Sequence, residues 1–161
     1  MTVAFRVDGV PAPKGSTKAF RHRSTGRVVV TETNTHTRPW AALVRDAAQQ
    51  VRPSVTGSGV PAIISPIPFP RGTAVHLGVT FVLPRPVSLP KRVTDATKKP
   101  DLDKLARAVK DALTGVVWSD DSQVVSMTLA KRYAGPTERP GAKVAVTDAP
   151  GHPWYDEASV A

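Results

Sequence analysis

Hydrophobic and polar positions alternate over residues 2–7, with Val3, Phe5 and Val7 on one face, which is the two-residue period of a half-buried strand. Pro11 and Pro13 punctuate residues 9–15, so that segment reads as a loop. Residues 18–23 and 27–31 flank Ser24, Thr25 and Gly26 and predict a hairpin with glycine at its tip. From Thr37, a candidate cap with Pro39 in the first turn, the period changes. Trp40, Leu43, Val44, Ala47, Ala48 and Val51 recur at helical spacing until Pro53 ends the run. Residues 74–83 form the clearest strand, with Val75, Leu77, Val79, Phe81 and Leu83 on one face. A second helix is expected from Pro100 to about Thr114. Its buried stripe is Leu102, Leu105, Ala106, Val109, Ala112 and Leu113, and Gly115 is its stop signal. Strands are then expected at 116–118 and 123–133, around a turn at 119–122, and at 142–147. The pattern predicts one small α/β domain with a mixed sheet and two principal helices.

Residues 52–72 break this regularity with five prolines and three glycines, so they are expected to form a surface loop insertion. Residues 149–161 read as a flexible tail after a domain spanning 1–148. A chain of 161 residues suffices for one core. The absence of cysteine excludes disulfides and thiolate zinc sites, and the four histidines show no ligand spacing. No apolar run reaches membrane-spanning length and residues 1–10 carry no export signal pattern, so a cytoplasmic protein with no membrane partner is expected.

Charge changes the picture. Lysine and arginine number 22 against 13 acids, a net charge of +9, which favours a polyanionic partner, nucleic acid first. The acids are unevenly spread: Asp95, Asp101, Asp103, Asp111, Asp120 and Asp121 fall within 27 residues. Basic residues flank them: Arg85, Lys91, Arg92, Lys98 and Lys99 before, Lys131 and Arg132 after. Clustered carboxylates repel unless a cation lies between them. Residues two apart do not face each other within a helix, so Asp101 and Asp103 can converge only if Asp101 is a cap and Asp103 lies in the first turn. Mg²⁺ takes oxygen ligands and is often held by few carboxylates, waters and substrate phosphate. The same residues also suit plain structural work. Aspartates favour helix N-termini, Asp103 can pair with Arg107 four residues on, and Ser-Asp-Asp-Ser is an ordinary turn. Spacing alone leaves both readings standing.

The segment KPDLDKL, followed by DAL, VW and DDSQVV, resembles the signature of the RusA family of Holliday junction resolvases, often carried by bacteriophages and prophages. The likeness is specific over residues 98–133. A weaker one at VPAPKGSTK, with the THTRPWAALVRDAA helix, extends it to nearly the whole chain except residues 52–72. The resemblance implies a RusA-like fold and a homodimer that cuts opposed strands of four-way DNA with Mg²⁺, Mn²⁺ being a possible substitute. It implies Asp101, Asp103 and Asp121 as metal-binding acids with Asp120 close by, and Arg107 as the catalytic cation. Two departures matter: Lys104 stands where the family commonly has Asn, and Arg107 where a lysine is usual. Arginine keeps the charge but not the titratable, point-like ammonium. Lys14, Lys18, Arg85, Lys91, Arg92, Lys98, Lys99, Lys104 and Lys110 are the candidate DNA-binding residues, each suited to phosphate contact rather than base reading. The rival readings are a nuclease of broader structure preference and a catalytically silent DNA-binding or phage assembly protein on the same fold.

Overall fold

Strands from the two ends of the domain pair with each other in one sheet. In the computed structural model, which describes residues 1–15, 17–32, 34–51 and 68–148, β1 (Thr2–Asp8) pairs antiparallel with β6 (Gly141–Asp148). Strand β6 pairs on its other side with β4 (Val75–Leu83), also antiparallel. Strand β5 (Val124–Tyr133) runs parallel to β4 at the edge, completing the order β1-β6-β4-β5. A separate hairpin joins β2 (Thr17–Arg21) to β3 (Val28–Glu32). The helices are α1 (Thr37–Gln49) and α2 (Leu102–Leu113). The fold is thus the expected small α/β domain with a mixed sheet and two helices.

One face of the sheet carries the core. Val3 and Val7 of β1, Ala142, Val144 and Val146 of β6, and Val75, Leu77, Val79 and Phe81 of β4 are in register and buried. They pack with Trp40 and Val44 of α1 and with Leu105, Val109, Ala112 and Leu113 of α2. Burying each large side chain of this kind is worth about 1.5–3 kcal/mol, so both ends of α2 are pinned against the sheet.

Parallel pairing of β4 and β5 needs a crossover, and α2 supplies it. The chain leaves the carboxyl end of β4, returns along α2, and re-enters the sheet at the start of β5. The two ends of α2 therefore lie at opposite ends of the β4–β5 pair. At the amino end Leu105 N–H donates to the Asp101 carbonyl at 3.1 Å. At the other end Gly115, with φ +77°, turns the chain in the left-handed region open to glycine.

Several sequence expectations shift. Residues 116–118 are a turn rather than a strand: Val116 and Val117 N–H both donate to the Leu113 carbonyl, folding the segment back on the helix end, with isolated bridges at Trp118. Thr37 is not the cap of α1. His36 is, and the Thr37 hydroxyl donates instead to the Pro13 carbonyl at 2.9 Å. Of the proposed 52–72 loop, residues 52–67 lie outside the described residues, as does the 149–161 tail.

At the far end of β5, Arg132 grips Glu138 with two nitrogens, at 2.5 and 2.7 Å. This hydrogen bonding, first of all, holds the Glu138 carboxyl down to about 2 from its ordinary 4.5. A depressed carboxylate pKa adds stability above the unfolded value and loses it as pH falls through the folded one. Glu138→Gln should therefore melt below wild type at pH 7, by a modest margin for a partly exposed pair. The gap should close between about pH 4.5 and 2 in thermal melts followed by circular dichroism.

Candidate active site

The mouth of α2 gathers both charges. Asp101 is the N-cap with extended backbone (φ −70°, ψ 140°), but its side chain makes no capping hydrogen bond. Its carboxylate stands 3.5 Å from Lys104 Nζ, and both side chains are about half exposed. Asp103 lies in the first turn, exposed. The sequence requirement for the two to share a side, one at the cap and one inside, is met. Asp103 and Arg107 form no ion pair among the described residues, and Arg107 projects exposed from the helix. The structural roles open to Asp101 and Asp103 from sequence, capping and an i,i+4 bridge, are thus not the ones they fill. Lys131 fixes the approach to this mouth: its ammonium donates to the Lys98 and Pro100 carbonyls, both at 2.9 Å. Lys98 and Lys99 project exposed beside it.

Asp121 sits elsewhere. Its Oδ1 accepts from the Trp118 indole N–H at 3.2 Å and from the Thr114 hydroxyl, while Lys110 Nζ stands 4.0 Å from Oδ2. Thr114 caps the C-terminal end of α2, so Asp121 belongs to that end and not to the mouth. Trp118 is fully buried, as expected of a core residue, yet its N–H aims at Asp121. Among the described residues no three acids or histidines stand together as a ready metal site.

Asp120 is occupied structurally. Its Oδ1 accepts from the Ser122 N–H at 2.8 Å and the Ser122 hydroxyl at 2.6 Å, and the hydroxyl bond is the first cause of its lowered pKa. It caps the short 3₁₀ turn Asp121–Gln123 in a reciprocal box with Gln123. Arg71, which sequence patterning did not single out, lies with Asp120, Ser122 and Gln123 along a shallow cleft of about 460 Å³.

The remaining candidates divide. Lys110 faces Asp121, and Lys14 pairs with Asp111 while its backbone N–H bonds the Lys104 carbonyl at 3.0 Å. Lys91 and Arg92 are exposed on the loop before α2. Arg85 donates to the Ala134 and Pro90 carbonyls, each at 3.1 Å, and lies over the Tyr133 ring, so its guanidinium organises that loop. Lys18 is in β2, with its side chain outside the described residues.

Residues 8–147 match the family described as Endodeoxyribonuclease RusA. The chain belongs to the RusA family. The description that the family carries is that of an endodeoxyribonuclease. A 52-residue stretch is also 40% identical to the uncharacterized protein YqaN of Bacillus subtilis (strain 168), covering 32% of this chain and 34% of that protein. The match thus spans about a third of the relative's length. Among the described residues of this RusA-family chain, no helix is long and apolar enough to cross a membrane.

Sequence patterning missed Thr114 and Gln123. Gln123 looks like the first residue of a strand, but it is buried, and its side chain ties two loops together. Its Nε2 donates to the Pro70 and Thr73 carbonyls at 2.8 and 3.0 Å and, at a longer 3.4 Å, to that of Phe69. Its Oε1 accepts from the Ser119 and Asp120 N–H groups at 2.9 and 3.0 Å.

Proposed function

We propose that this RusA-family chain is a divalent-metal-dependent endonuclease that hydrolyses phosphodiesters in branched DNA, four-way junctions first, in recombination, repair or phage DNA processing. Mg²⁺ is the proposed metal, Mn²⁺ a substitute, and a homodimer the working form. The observation that supports this most is the pair Asp101 and Asp103: exposed carboxylates used for neither capping nor an i,i+4 bridge, set among Lys98, Lys99, Lys104 and Arg107.

These donors fit Mg²⁺ as an open site, because that ion takes carboxylate oxygens and completes its shell with water and substrate phosphate. Asp101 and Asp103 would hold it; Asp121, bonded to Thr114 at the other end of α2, does not reach them within one chain. When bound, such an ion lowers the pKa of a water and offsets charge on the scissile phosphate. The residues around it have separable work. Lys98, Lys99 and Lys104 hold backbone phosphates near the helix mouth, and Arg107, one turn past Asp103, offers a planar phosphate clamp. Trp118 and Thr114 fix the orientation of the Asp121 carboxylate.

The test is a labelled synthetic four-way junction beside linear duplex, each with Mg²⁺ or EDTA, over a salt series. Cutting is expected with Mg²⁺ alone, and preferentially on the junction. Affinity should fall linearly with salt on a log–log plot. Equal cutting of both substrates would favour the broader nuclease, and binding without any cutting would favour the silent DNA-binding protein.

A further inference from the structure

Between Asp8 and Glu32 the chain carries Lys14, Lys18, Arg21, Arg23 and Arg27 and no acid. Most of this stretch is the β2–β3 hairpin, which forms its own two-stranded sheet and pairs with no strand of the main one. Such a hairpin is marginal in water when it stands alone. Its tip, residues 21–28, is exposed throughout, so burial does not account for it.

The tip is nonetheless a shaped turn. His22 N–H donates to the Arg27 carbonyl at 2.8 Å, and Gly26 N–H donates to the His22 carbonyl at 2.9 Å. Gly26 takes φ +66°, in the region open to glycine. The Ser24 hydroxyl stands 3.0 Å from His22 Nδ1. This turn holds Arg21, Arg23 and Arg27 close together, and none of the three forms an ion pair among the described residues. Like charges gathered in this way repel one another, and a polyanion relieves the repulsion.

Both ends of the hairpin are tied beside α2. On the way out, Lys14 N–H donates to the Lys104 carbonyl at 3.0 Å, and the Lys14 ammonium pairs with Asp111. On the return, Asn34 Nδ2 and the Thr37 hydroxyl both donate to the Pro13 carbonyl at 2.9 Å. The hairpin therefore springs from the flank of α2 next to Lys104, whose ammonium stands 3.5 Å from the Asp101 carboxylate. The five residues of β2 span about 16 Å at about 3.3 Å each. That is the height of about five base pairs at roughly 3.4 Å per step.

We infer that the β2–β3 hairpin is a DNA-holding projection. Its tip lies along a groove of one duplex arm, up to about five base pairs from the phosphate at the mouth of α2. Arg21, Arg23 and Arg27 hold backbone phosphates there. This rests on the proposal that the chain acts on branched DNA at that mouth. A major groove about 12 Å wide admits a two-stranded ribbon, and the arginine fork matches phosphate oxygens in pairs. These contacts fix the position of the duplex and carry no sequence information. The three arginines are positioning residues, remote from the acids.

Two experiments test this. In the first, Arg21→Gln, Arg23→Gln and Arg27→Gln are combined in one chain, and junction binding is titrated in EDTA over a salt series. The log–log slope should be shallower by roughly 2–3, at about 0.9 per phosphate contact, and affinity near 0.15 M salt should fall on the order of 10²-fold. The matching triple lysine variant keeps the charge and should keep most of the slope. Both variants should melt at the wild-type temperature, because the tip is exposed. An unchanged slope in the glutamine variant, with wild type binding the junction, would overturn the inference and leave the nuclease reading intact. Wild type that binds no junction even at low salt would overturn both.

The second experiment places the tip on the DNA and uses the absence of cysteine in the chain. Exposed Thr25→Cys is labelled with a photoactivatable aryl azide and irradiated on end-labelled junctions. Crosslinks should fall on a duplex arm several base pairs from the branch point. Crosslinks confined to the branch point, or none at all on a junction that the labelled protein binds, would refute the placement.

Discussion

Asp103→Asn should slow Mg²⁺-dependent junction cleavage by on the order of 10²–10³-fold. Metal assistance is worth several kcal/mol of transition-state stabilisation, and each 1.36 kcal/mol is a factor of ten. Junction affinity should be unchanged or slightly tighter. Removing one negative charge from a surface with Lys98, Lys99 and Lys104 nearby cannot weaken its attraction for phosphate. Single-turnover cleavage and a gel-shift titration separate the two quantities. Because Asp103 makes no hydrogen bond or ion pair among the described residues, the variant should also unfold at the wild-type temperature. A near-normal cleavage rate would remove Asp103 from the chemistry.

Gln123→Ala should have the largest effect on stability and a secondary one on cutting. The buried amide serves backbone groups on two segments: carbonyls before β4 and N–H groups at the head of the Asp121 turn. Leaving a buried partner unsatisfied costs about 1–3 kcal/mol each, and solvent will reach only some of them. A loss of roughly 3 kcal/mol or more is expected in urea unfolding. Asp121 lies two residues away in the same turn, so cleavage should fall even under conditions where the variant remains folded. A stability loss below about 1 kcal/mol would show that water replaces the amide without penalty.

The legible parts of this protein were those governed by periodicity. The alternation at Val75, Leu77, Val79 and Phe81 and the helical stripe at Leu105, Val109 and Leu113 are local patterns of burial, and the strand and the helix stand where those patterns place them. The cap position of Asp101 was legible only as the condition for Asp101 and Asp103 to converge, and α2 starts at Leu102, two residues after Pro100. The turn at residues 116–118 was not legible, because two valines and a tryptophan have strand preferences. What decides there is a non-local fit of Trp118 against Phe69 and the helix end. Sequence spacing also could not show that Asp101 and Asp121 lie at opposite ends of α2. The difference between Asp120 and Asp121 was equally hidden. They are adjacent and chemically identical, and only the direction of each carboxylate, one onto Ser122 and the other toward Trp118, separates a turn-former from a candidate ligand.

The position of β6 in the sheet has a consequence for how the protein is made. It is the last described strand to be synthesised, yet it lies between β1 and β4 and hydrogen-bonds to both. A ribosome that has reached only Pro140 has made β1, both helices, β4 and β5, but not the strand that joins β1 to the rest. Pairings this distant in sequence carry the loop-closure cost that slows folding. The nascent chain therefore holds β1 and the open edge of β4 without their partner until translation of the domain is nearly complete. Expression at low temperature or with holdase chaperones should raise the soluble yield, and truncations before residue 148 should aggregate rather than yield a smaller working domain.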